Sequence, residues 1–479
     1  MNRTVVIGGG LSGLGAALFL RRLGREVLIV EKSDRLGALA RGFTRRGLAF
    51  ETGFHYAGGL EAGGVLHRYL HRLGLFDQGL RTSLLADPGG EFLRFPQSGE
   101  DFALPRSFDD FRRIFPAGAE VDEFFSRGRD VFNRSPYLNR EIGEFAPLAL
   151  YNQGETLAAA LDKLPVSRRL KSVLGFRCLL YGVKPPEASF DQFALINTSY
   201  LNGGHTFEGG GEALVRAFEA ALAAAGVTVL TGREVVALKT DRHNAAVALD
   251  CEDALGRREA IDFTDCVYTG SPAALPRLLP EGALRPVLSR RLGALKYTPA
   301  PLLFFGRTRS NGLENRQLFI CPENLEDWFD PAQKAVYASG GPGRDGHWPV
   351  SAVTLLPKEA IDVWRGRRTG PEYHAWKARL AEETRGHLLA HCPELGGSLE
   401  TVASATNLTL ERYSLAFGPG IYGKLHSIHE APVLPVTRVG RLALAGQNIV
   451  MPGLLGVLVS SALAAGSLLG HETVLEVLK

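Results

Sequence analysis

The sequence predicts an α/β fold of two domains, one with a Rossmann-like parallel sheet and one with a mixed α+β substrate domain. The chain has 479 residues, more than the roughly 100–200 of a usual domain, so two or three structural units are expected. A strand, a glycine-rich turn, a helix and a second strand follow one another from the start of the chain. Two long insertions of different pattern separate the later strands of this type, which predicts the second domain.

Hydrophobic spacing predicts the strands and helices in chain order. Short apolar runs predict strands at 4–7, 26–30, 227–230, 234–238, 247–251, 266–269 and 442–445. Helical spacing predicts helices at 11–23, 212–225, about 373–389 and from about 454. Between 60 and 180 the pattern indicates amphipathic helices. We therefore predict a discontinuous cofactor domain of residues 1–59, 203–285 and 432–479, and a substrate domain of residues 60–202 and 286–431.

The composition excludes several classes of protein. The net charge is +3, from 54 basic and 51 acidic residues, so we expect no nucleic-acid partner. The five cysteines form no CxxC pair, which argues against a disulfide framework or a zinc site, and we predict no metal. The apolar stretches 5–20 and 442–470 are interrupted by glycines or polar residues, so we interpret both as buried elements of a cytoplasmic protein.

The turn after the first strand carries a GxGxxG pattern in the setting that this motif requires. Gly8 makes the turn, Gly10 lets the backbone approach a pyrophosphate, and Gly13 packs the helix on the strand. The helix N-terminus, which includes Ser12, offers amides and a positive dipole end to that diphosphate. The pattern predicts a dinucleotide site.

Glu31 identifies the nucleotide more closely. It ends the second strand, 18 residues after Gly13, where a carboxylate bonds the adenosine ribose hydroxyls and repels a 2′-phosphate. A single site at the start of the chain suits a tightly held flavin better than an exchanging nicotinamide. FAD is therefore the expected cofactor.

The residues that follow Glu31 resemble the FAD-binding start of the phytoene desaturase and amine oxidase superfamily. The run Glu31-Lys32-Ser-Asp-Arg-Leu-Gly37-Ala38 carries this resemblance, although the family usually has a second Gly where Ala38 stands. The loop Phe50-Glu-Thr-Gly-Phe-His-Tyr56 resembles a loop of retinol saturases and carotenoid isomerases that passes close to the flavin ring in relatives. The resemblance implies cofactor contacts at Lys32, Gly37, Ala38, Thr52 and Gly53, and active-site roles for His55 and Tyr56.

Later segments extend the resemblance over essentially the whole chain. Gly209-Gly-Gly-Glu212 with the strand of Val235 is similar to the second FAD segment, in which a Val backbone meets adenine. Residues 406–413 and Tyr422-Gly423 resemble a late substrate-domain segment, with Asn407 in place of the usual Pro. Residues 444–457 resemble the final motif, which reaches the ribityl chain and the diphosphate or flavin. That motif implies contacts at Gly446, Gln447, Gly453, Leu455, Gly456 and Val457.

The resemblance implies redox chemistry on carbon–carbon bonds of an apolar polyene or isoprenoid, with the flavin carrying the hydride. Desaturation, saturation and redox-neutral isomerisation remain open, and the loop of His55 and Tyr56 favours the last two. An amine or porphyrinogen oxidase on the same scaffold is one alternative. A non-catalytic lipid escort protein is another, but the intact glycine motif and Glu31 favour cofactor retention.

Two further features have two interpretations each. His55 either packs as a core histidine, or faces the flavin and bonds it or supplies a proton. The stretches 66–76 and 108–115 combine basic and apolar residues. They are either ordinary core-facing helices or a patch that rests on a membrane and admits an apolar substrate.

Overall fold

The computed structural model describes residues 2–86, 90–139, 154–368, 370–414 and 420–479. Its helices are α1 (Leu11–Arg22), α2 (Val65–Arg72), α3 (Phe108–Arg113), α4 (Ala119–Asn133), α5 (Leu157–Asp162), α6 (Arg168–Gly175), α7 (Phe190–Tyr200), α8 (Gly210–Ala224), α9 (Leu275–Leu278), α10 (Pro286–Gly293), α11 (Lys358–Asp362), α12 (Pro371–His391), α13 (Asn407–Ser414), α14 (Gly453–Leu469) and α15 (His471–Leu478). Its strands are β1 (Arg3–Ile7), β2 (Glu26–Val30), β3 (Phe43–Arg45), β4 (Leu48–Phe50), β5 (Thr82–Leu84), β6 (Glu91–Phe95), β7 (Glu100–Ala103), β8 (His205–Phe207), β9 (Thr228–Leu230), β10 (Glu234–Thr240), β11 (Ala246–Glu252), β12 (Arg258–Asp262), β13 (Asp265–Tyr268), β14 (Ala300–Thr308), β15 (Gln317–Ile320), β16 (Val336–Gly340), β17 (Trp348–Leu356), β18 (Glu400–Thr406) and β19 (Leu442–Leu444).

A five-stranded parallel sheet forms the centre of the predicted cofactor domain. Its strand order is β19-β13-β1-β2-β9, and every neighbouring pair is parallel. The predicted strands agree with these five within one residue at each end. They are continuous apolar runs because strands of a parallel sheet are covered on both faces. The α/β fold is confirmed, whereas the domain bounds stay a prediction and include positions outside the described residues.

Close packing of α1 against α14 brings the two ends of the chain together. A Cβ placed on Gly15 would lie 2.8 Å from Leu458 Cδ2, so the helices approach more closely than a larger residue at this position allows. The Ser461 hydroxyl donates a 2.7 Å hydrogen bond to the carbonyl oxygen of Ser12. The C-terminal motif therefore lies beside the N-terminal glycine turn.

A seven-stranded mixed sheet lies in the predicted substrate domain, in the order β18-β14-β17-β16-β15-β6-β7. The expectation that 60–180 is helical is wrong for β5, β6 and β7. These strands are only three to five residues long, and β6 pairs in parallel with the distant β15, with Glu91 opposite Gln317. Four of the five residues of β6 are buried, so its sequence lacks the alternation of a half-buried strand and cannot be told from a buried helical segment.

The stretches 66–76 and 108–115 do not form the exposed apolar patch that membrane contact there requires. Leu66 and Leu70 of α2 are fully buried, and Phe111 and Phe115 are at most 4% exposed. The apolar stripe of each helix packs inward, as in an ordinary amphipathic surface helix. In the described part of the chain, no helix combines the length and the apolar character needed to cross a bilayer.

Candidate active site

The glycine turn between β1 and α1 has the shape of an anion cradle. Gly8 has a φ of +108°, and a Cβ on Gly13 would lie 1.9 Å from the carbonyl oxygen of Gly8, so both positions require glycine. Helix α1 begins at Leu11 with Gly10 as its N-cap, without a side-chain cap or an acidic residue in its first turn. The amides of that first turn are therefore available to a diphosphate.

Glu31 lies directly against this turn. Its Oε2 accepts a hydrogen bond from the Gly9 amide, and its Oε1 accepts one from the Ser33 amide at 2.6 Å. The Arg233 amide donates to the Glu31 carbonyl at 2.9 Å, which brings β10, the strand of Val235, to the same edge. The carboxylate is thus held at the carboxyl end of β2, where the sequence placed a ribose ligand.

The segment after Glu31 folds back over the glycine turn. The Gly37 amide donates to the Gly9 carbonyl at 2.8 Å. Ala38 has a φ of +43°, a left-handed conformation that glycine adopts more readily, which fits the glycine that the resemblance implies at this position. Lys32, a predicted cofactor contact, is exposed and pairs with Glu234 at 2.8 Å.

The predicted flavin loop is fixed at its start by backbone contacts. Thr52 Oγ1 donates to the carbonyl oxygens of Leu39 at 3.0 Å and Arg41 at 2.7 Å. A Cβ on Gly53 would lie 2.6 Å from the same Leu39 oxygen. Both predicted residues therefore position this loop against the 38–41 turn.

Glu51, in the same loop, caps the start of α8. Its carboxylate accepts the Gly211 amide at 3.2 and 3.3 Å. Burial raises the pKa of Glu51 from 4.5 to about 7, and the charge of Glu212 adds to that rise, while the Gly211 hydrogen bond opposes it.

The C-terminal motif meets the glycine turn at Gly446. This residue has a φ of +119°, and its amide donates to Ser460 Oγ at 2.9 Å. A Cβ there would lie 3.5 Å from Ser12 Oγ, which shows how near the two motifs are. The side chain of Gln447 lies beside Gly423 instead, since a Cβ on Gly423 would be 2.9 Å from its Nε2.

A small cavity of about 40 Å³, partly open to solvent, lies between this motif and the residues that follow the flavin loop. The lining comes from the start of α14, from the residues after Tyr56 and from α7, and includes Gly453, Leu455, Gly456, Ala57, Gly58 and Tyr200. Val457 lies further along α14 and is not part of the lining. The wall is mainly apolar.

His55 faces the substrate sheet. Its Nδ1 lies 3.3 Å from Ser339 Oγ, and its ring centroid is 5.1 Å from that of Tyr337. The imidazole keeps some accessible surface, but the surrounding protein lowers its pKa to about 4 by desolvation. His55 is therefore neutral at pH 7.

Tyr56 is tied to a buried ion pair. Its hydroxyl donates to Glu91 Oε1 at 2.7 Å, while Arg177 donates to Glu91 Oε2 at 2.9 Å and to Asn197 Oδ1 at 3.0 Å. The side chains of Arg177 and Glu91 are 2% and 6% exposed. Burial, and then the charge of Glu91, raises the pKa of Tyr56 well above its usual value.

Three polar side chains form a row across the substrate sheet. Gln317 on β15 is in register with Glu91 on β6 and with Ser339 on β16. Each holds one aromatic side chain of the site: Glu91 holds Tyr56, Ser339 holds His55, and Gln317 Oε1 accepts the hydroxyl of Tyr337.

Sequence reasoning missed Glu91, Arg177 and Thr269. Thr269 Oγ1 donates to the Ile7 carbonyl at 2.9 Å, and a Cβ on Gly8 would lie 2.3 Å from it. Its place just after β13, at the carboxyl edge of the parallel sheet, is a signal that the sequence contains. Glu91 and Arg177 are lone charges in apolar runs, and no local pattern pairs them.

The structure therefore brings most of the predicted cofactor residues together at the carboxyl edge of the parallel sheet, with the exceptions of Lys32, the Gln447 side chain and Val457. His55 and Tyr56 lie where that edge meets the substrate sheet. Within the described ranges, no group of three or more His, Cys, Asp or Glu side chains is placed to hold a metal ion.

Comparisons with known proteins agree with this architecture. The family described as flavin containing amine oxidoreductase matches residues 11–335. The all-trans-retinol 13,14-reductases of Danio rerio and Homo sapiens are 24% and 25% identical to the chain, over 97% of its length and 85% of theirs. The crystal structure of an oxidoreductase from Methanosarcina mazei has a TM-score of 0.67 at 16% identity, covering 96% of this chain and 98% of that one.

Proposed function

The chain belongs to the family of flavin-containing amine oxidoreductases, and from this premise we propose that it reduces a carbon–carbon double bond of an apolar polyene or isoprenoid, with FAD as its redox group. The observation that carries the proposal is the similarity to all-trans-retinol 13,14-reductases over nearly the whole chain. The mainly apolar cavity between the flavin loop and the C-terminal motif supports the substrate class.

The described residues fit a bound dinucleotide. The Gly8–Gly13 cradle admits no Cβ at its third glycine, the first turn of α1 has no side-chain cap, and Glu31 accepts a hydrogen bond from the Gly9 amide of that cradle. These residues would hold the diphosphate and the adenosine, which favours FAD over a mononucleotide. When bound, the flavin supplies the hydride chemistry.

The remaining predicted residues would orient the ring and the substrate. Gly446, Gly453 and Gly456 would admit the ribityl chain and the ring to the backbone, and the apolar wall would exclude water. His55 would hydrogen-bond the flavin. Its lowered pKa favours that role over proton donation as an imidazolium.

A single-turnover experiment tests this function. The purified protein is reduced with dithionite without oxygen, desalted, and mixed with an all-trans polyene alcohol in detergent micelles. We expect the flavin absorbance near 450 nm to return while the product gains two hydrogens, and we expect the released cofactor to be FAD.

Two outcomes would favour the alternatives. Reduction of the oxidised flavin by amines, without reaction of the polyene, would support an amine oxidase. A colourless protein that retains a lipid would support an escort protein.

A further inference from the structure

Reduction of a double bond requires a proton as well as a hydride, and the proposed function leaves the source of that proton open. We propose that Tyr422 is the catalytic acid that delivers it, an inference that rests on the proposed function. Three observations lead to Tyr422: the commitment of the neighbouring protons, the position of its ring and the freedom of its hydroxyl.

The nearest candidates are already engaged. The proton of Tyr56 points to the Glu91 carboxylate, and that of Tyr337 points to Gln317 Oε1. His55 is neutral at pH 7. None of these three groups can release a proton without breaking a buried hydrogen bond or starting from a minor protonation state.

Tyr422 is held firmly between the aromatic site and the C-terminal motif. Its amide donates to Thr298 Oγ1 at 3.1 Å, and the next residue, Gly423, packs against Asn448 and Gln447. Its Cδ2 would lie 2.9 Å from a Cβ on Gly182. The Tyr422 ring therefore packs directly on the Gly182 backbone, where the Cβ of any other residue would be too close to it.

The hydroxyl of Tyr422 is uncommitted, unlike those of Tyr56 and Tyr337. It bonds to none of the described residues, and the residue as a whole is only partly buried, although burial raises the pKa of the phenol to about 12. The ring is close enough to Tyr200 and Tyr337 to interact with both electrostatically. A phenol with this pKa keeps its proton throughout the neutral range, so it is protonated at the start of each turnover.

Tyr200 is the rival, because it lines the cavity itself. The charge of Glu91 adds to the effect of burial in raising the Tyr200 pKa, although Arg177 opposes it. A phenolate at Tyr200 would form near a carboxylate. No acidic side chain contributes to the raised pKa of Tyr422.

The step balances without a further reactant beyond the reduced flavin. One carbon of the double bond receives the hydride from the two-electron-reduced flavin, and the π electron pair forms a C–H bond at the other carbon with the Tyr422 proton. The O–H bond of Tyr422 breaks, and solvent water returns the proton to the phenolate. The double bond is reduced and the flavin is oxidised.

The test compares Tyr422→Phe with two matched variants: Tyr200→Phe in the same site and Tyr413→Phe, whose side chain is 74% exposed. Flavin content and the polyene dissociation constant are measured first, by absorbance and by fluorescence quenching. We expect Tyr422→Phe and Tyr413→Phe to match wild type in both, and the values for Tyr200→Phe correct its rate for any change in binding. In single turnover, Tyr422→Phe should be slower by about 10²–10⁴-fold, with a smaller solvent deuterium isotope effect. Tyr413→Phe should keep the wild-type rate, and any loss in Tyr200→Phe should be smaller than that in Tyr422→Phe.

Wild-type turnover in Tyr422→Phe, or a loss of this size only in Tyr200→Phe, would overturn the assignment. If Tyr422→Phe does not fold, 3,5-difluorotyrosine at position 422 serves instead, since it preserves the shape and lowers the phenol pKa. An unchanged rate with that residue would also count against Tyr422. Failure of the wild type with every polyene would instead defeat the proposed function, and the role of Tyr422 with it.

Discussion

The Tyr56 hydroxyl donates a 2.7 Å hydrogen bond to Glu91 Oε1 and so connects the predicted flavin loop to the substrate sheet. The carboxylate is itself held by Arg177 at 2.9 Å. Because both charged side chains are almost fully buried, the loop depends on a charge pair that water cannot replace.

The first prediction concerns this pair. Glu91→Leu leaves a buried guanidinium without its partner, so we expect the free energy of unfolding to fall by about 3–5 kcal/mol. The double variant Glu91→Leu/Arg177→Met removes both charges and should recover much of this loss. Urea unfolding measures both. The control is the partly exposed ion pair of Arg258 and Glu252. There Glu252→Leu should lower the free energy of unfolding by no more than about 1 kcal/mol. Equal losses in the single and double variants would contradict the prediction.

Glu31 should control cofactor retention. Charge-assisted hydrogen bonds contribute roughly 1.5–3 kcal/mol, so we expect Glu31→Ala to weaken FAD binding about 10- to 100-fold. Flavin fluorescence released on dilution measures this affinity. Glu26→Ala, an exposed carboxylate at the start of the same strand, is the matched control. Unchanged retention in Glu31→Ala would remove Glu31 from the site.

His55 should affect the flavin without titrating in the neutral range. A pKa of about 4 means that the imidazole is protonated only well below pH 5, so the pH profile between 6 and 8 should show no His55 inflection. We expect His55→Gln to retain flavin and to slow turnover about tenfold, the effect of losing one hydrogen bond. The rate of flavin reoxidation across this pH range is the measurement. An inflection near pH 6.5 that disappears in His55→Gln would show that the histidine titrates in the neutral range. Wild-type turnover in His55→Gln would show that His55 is a packed residue without a role at the flavin.

Glu51 should make stability depend on pH. Its pKa rises from 4.5 to about 7 on folding, so between these values the folded state binds a proton that the unfolded state has lost. Stability from this group is therefore complete below pH 4.5 and decreases as the pH rises to about 7, by up to about 3 kcal/mol. Glu51→Gln should match wild type at pH 4.5 and be more stable at pH 8, as measured by urea unfolding. Glu259→Gln, exposed on β12, should show no such divergence, and a pH-independent difference for Glu51→Gln would count against the raised pKa.

The sequence by itself determined the parallel sheet, the glycine turn and the position of Glu31. Short-range spacing encodes each strand and the turn directly, whereas the pairing of β1 with β13, which sets Thr4 opposite Asp265, does not follow from it. Ala38 stands where the family resemblance implies glycine, and its positive φ is a property that only the structure shows.

Only the tertiary structure decided the rest of the site. Tyr56 and Glu91 are 35 residues apart, Glu91 and Arg177 are 86 apart, and His55 and Ser339 are 284 apart. The tertiary structure also decided that the apolar faces of 66–76 and 108–115 point inward. An amphipathic pattern fits a protein core and a membrane surface equally well, so the sequence left both interpretations open. Burial and strand pairing across such distances depend on the whole fold, and no local pattern carries them.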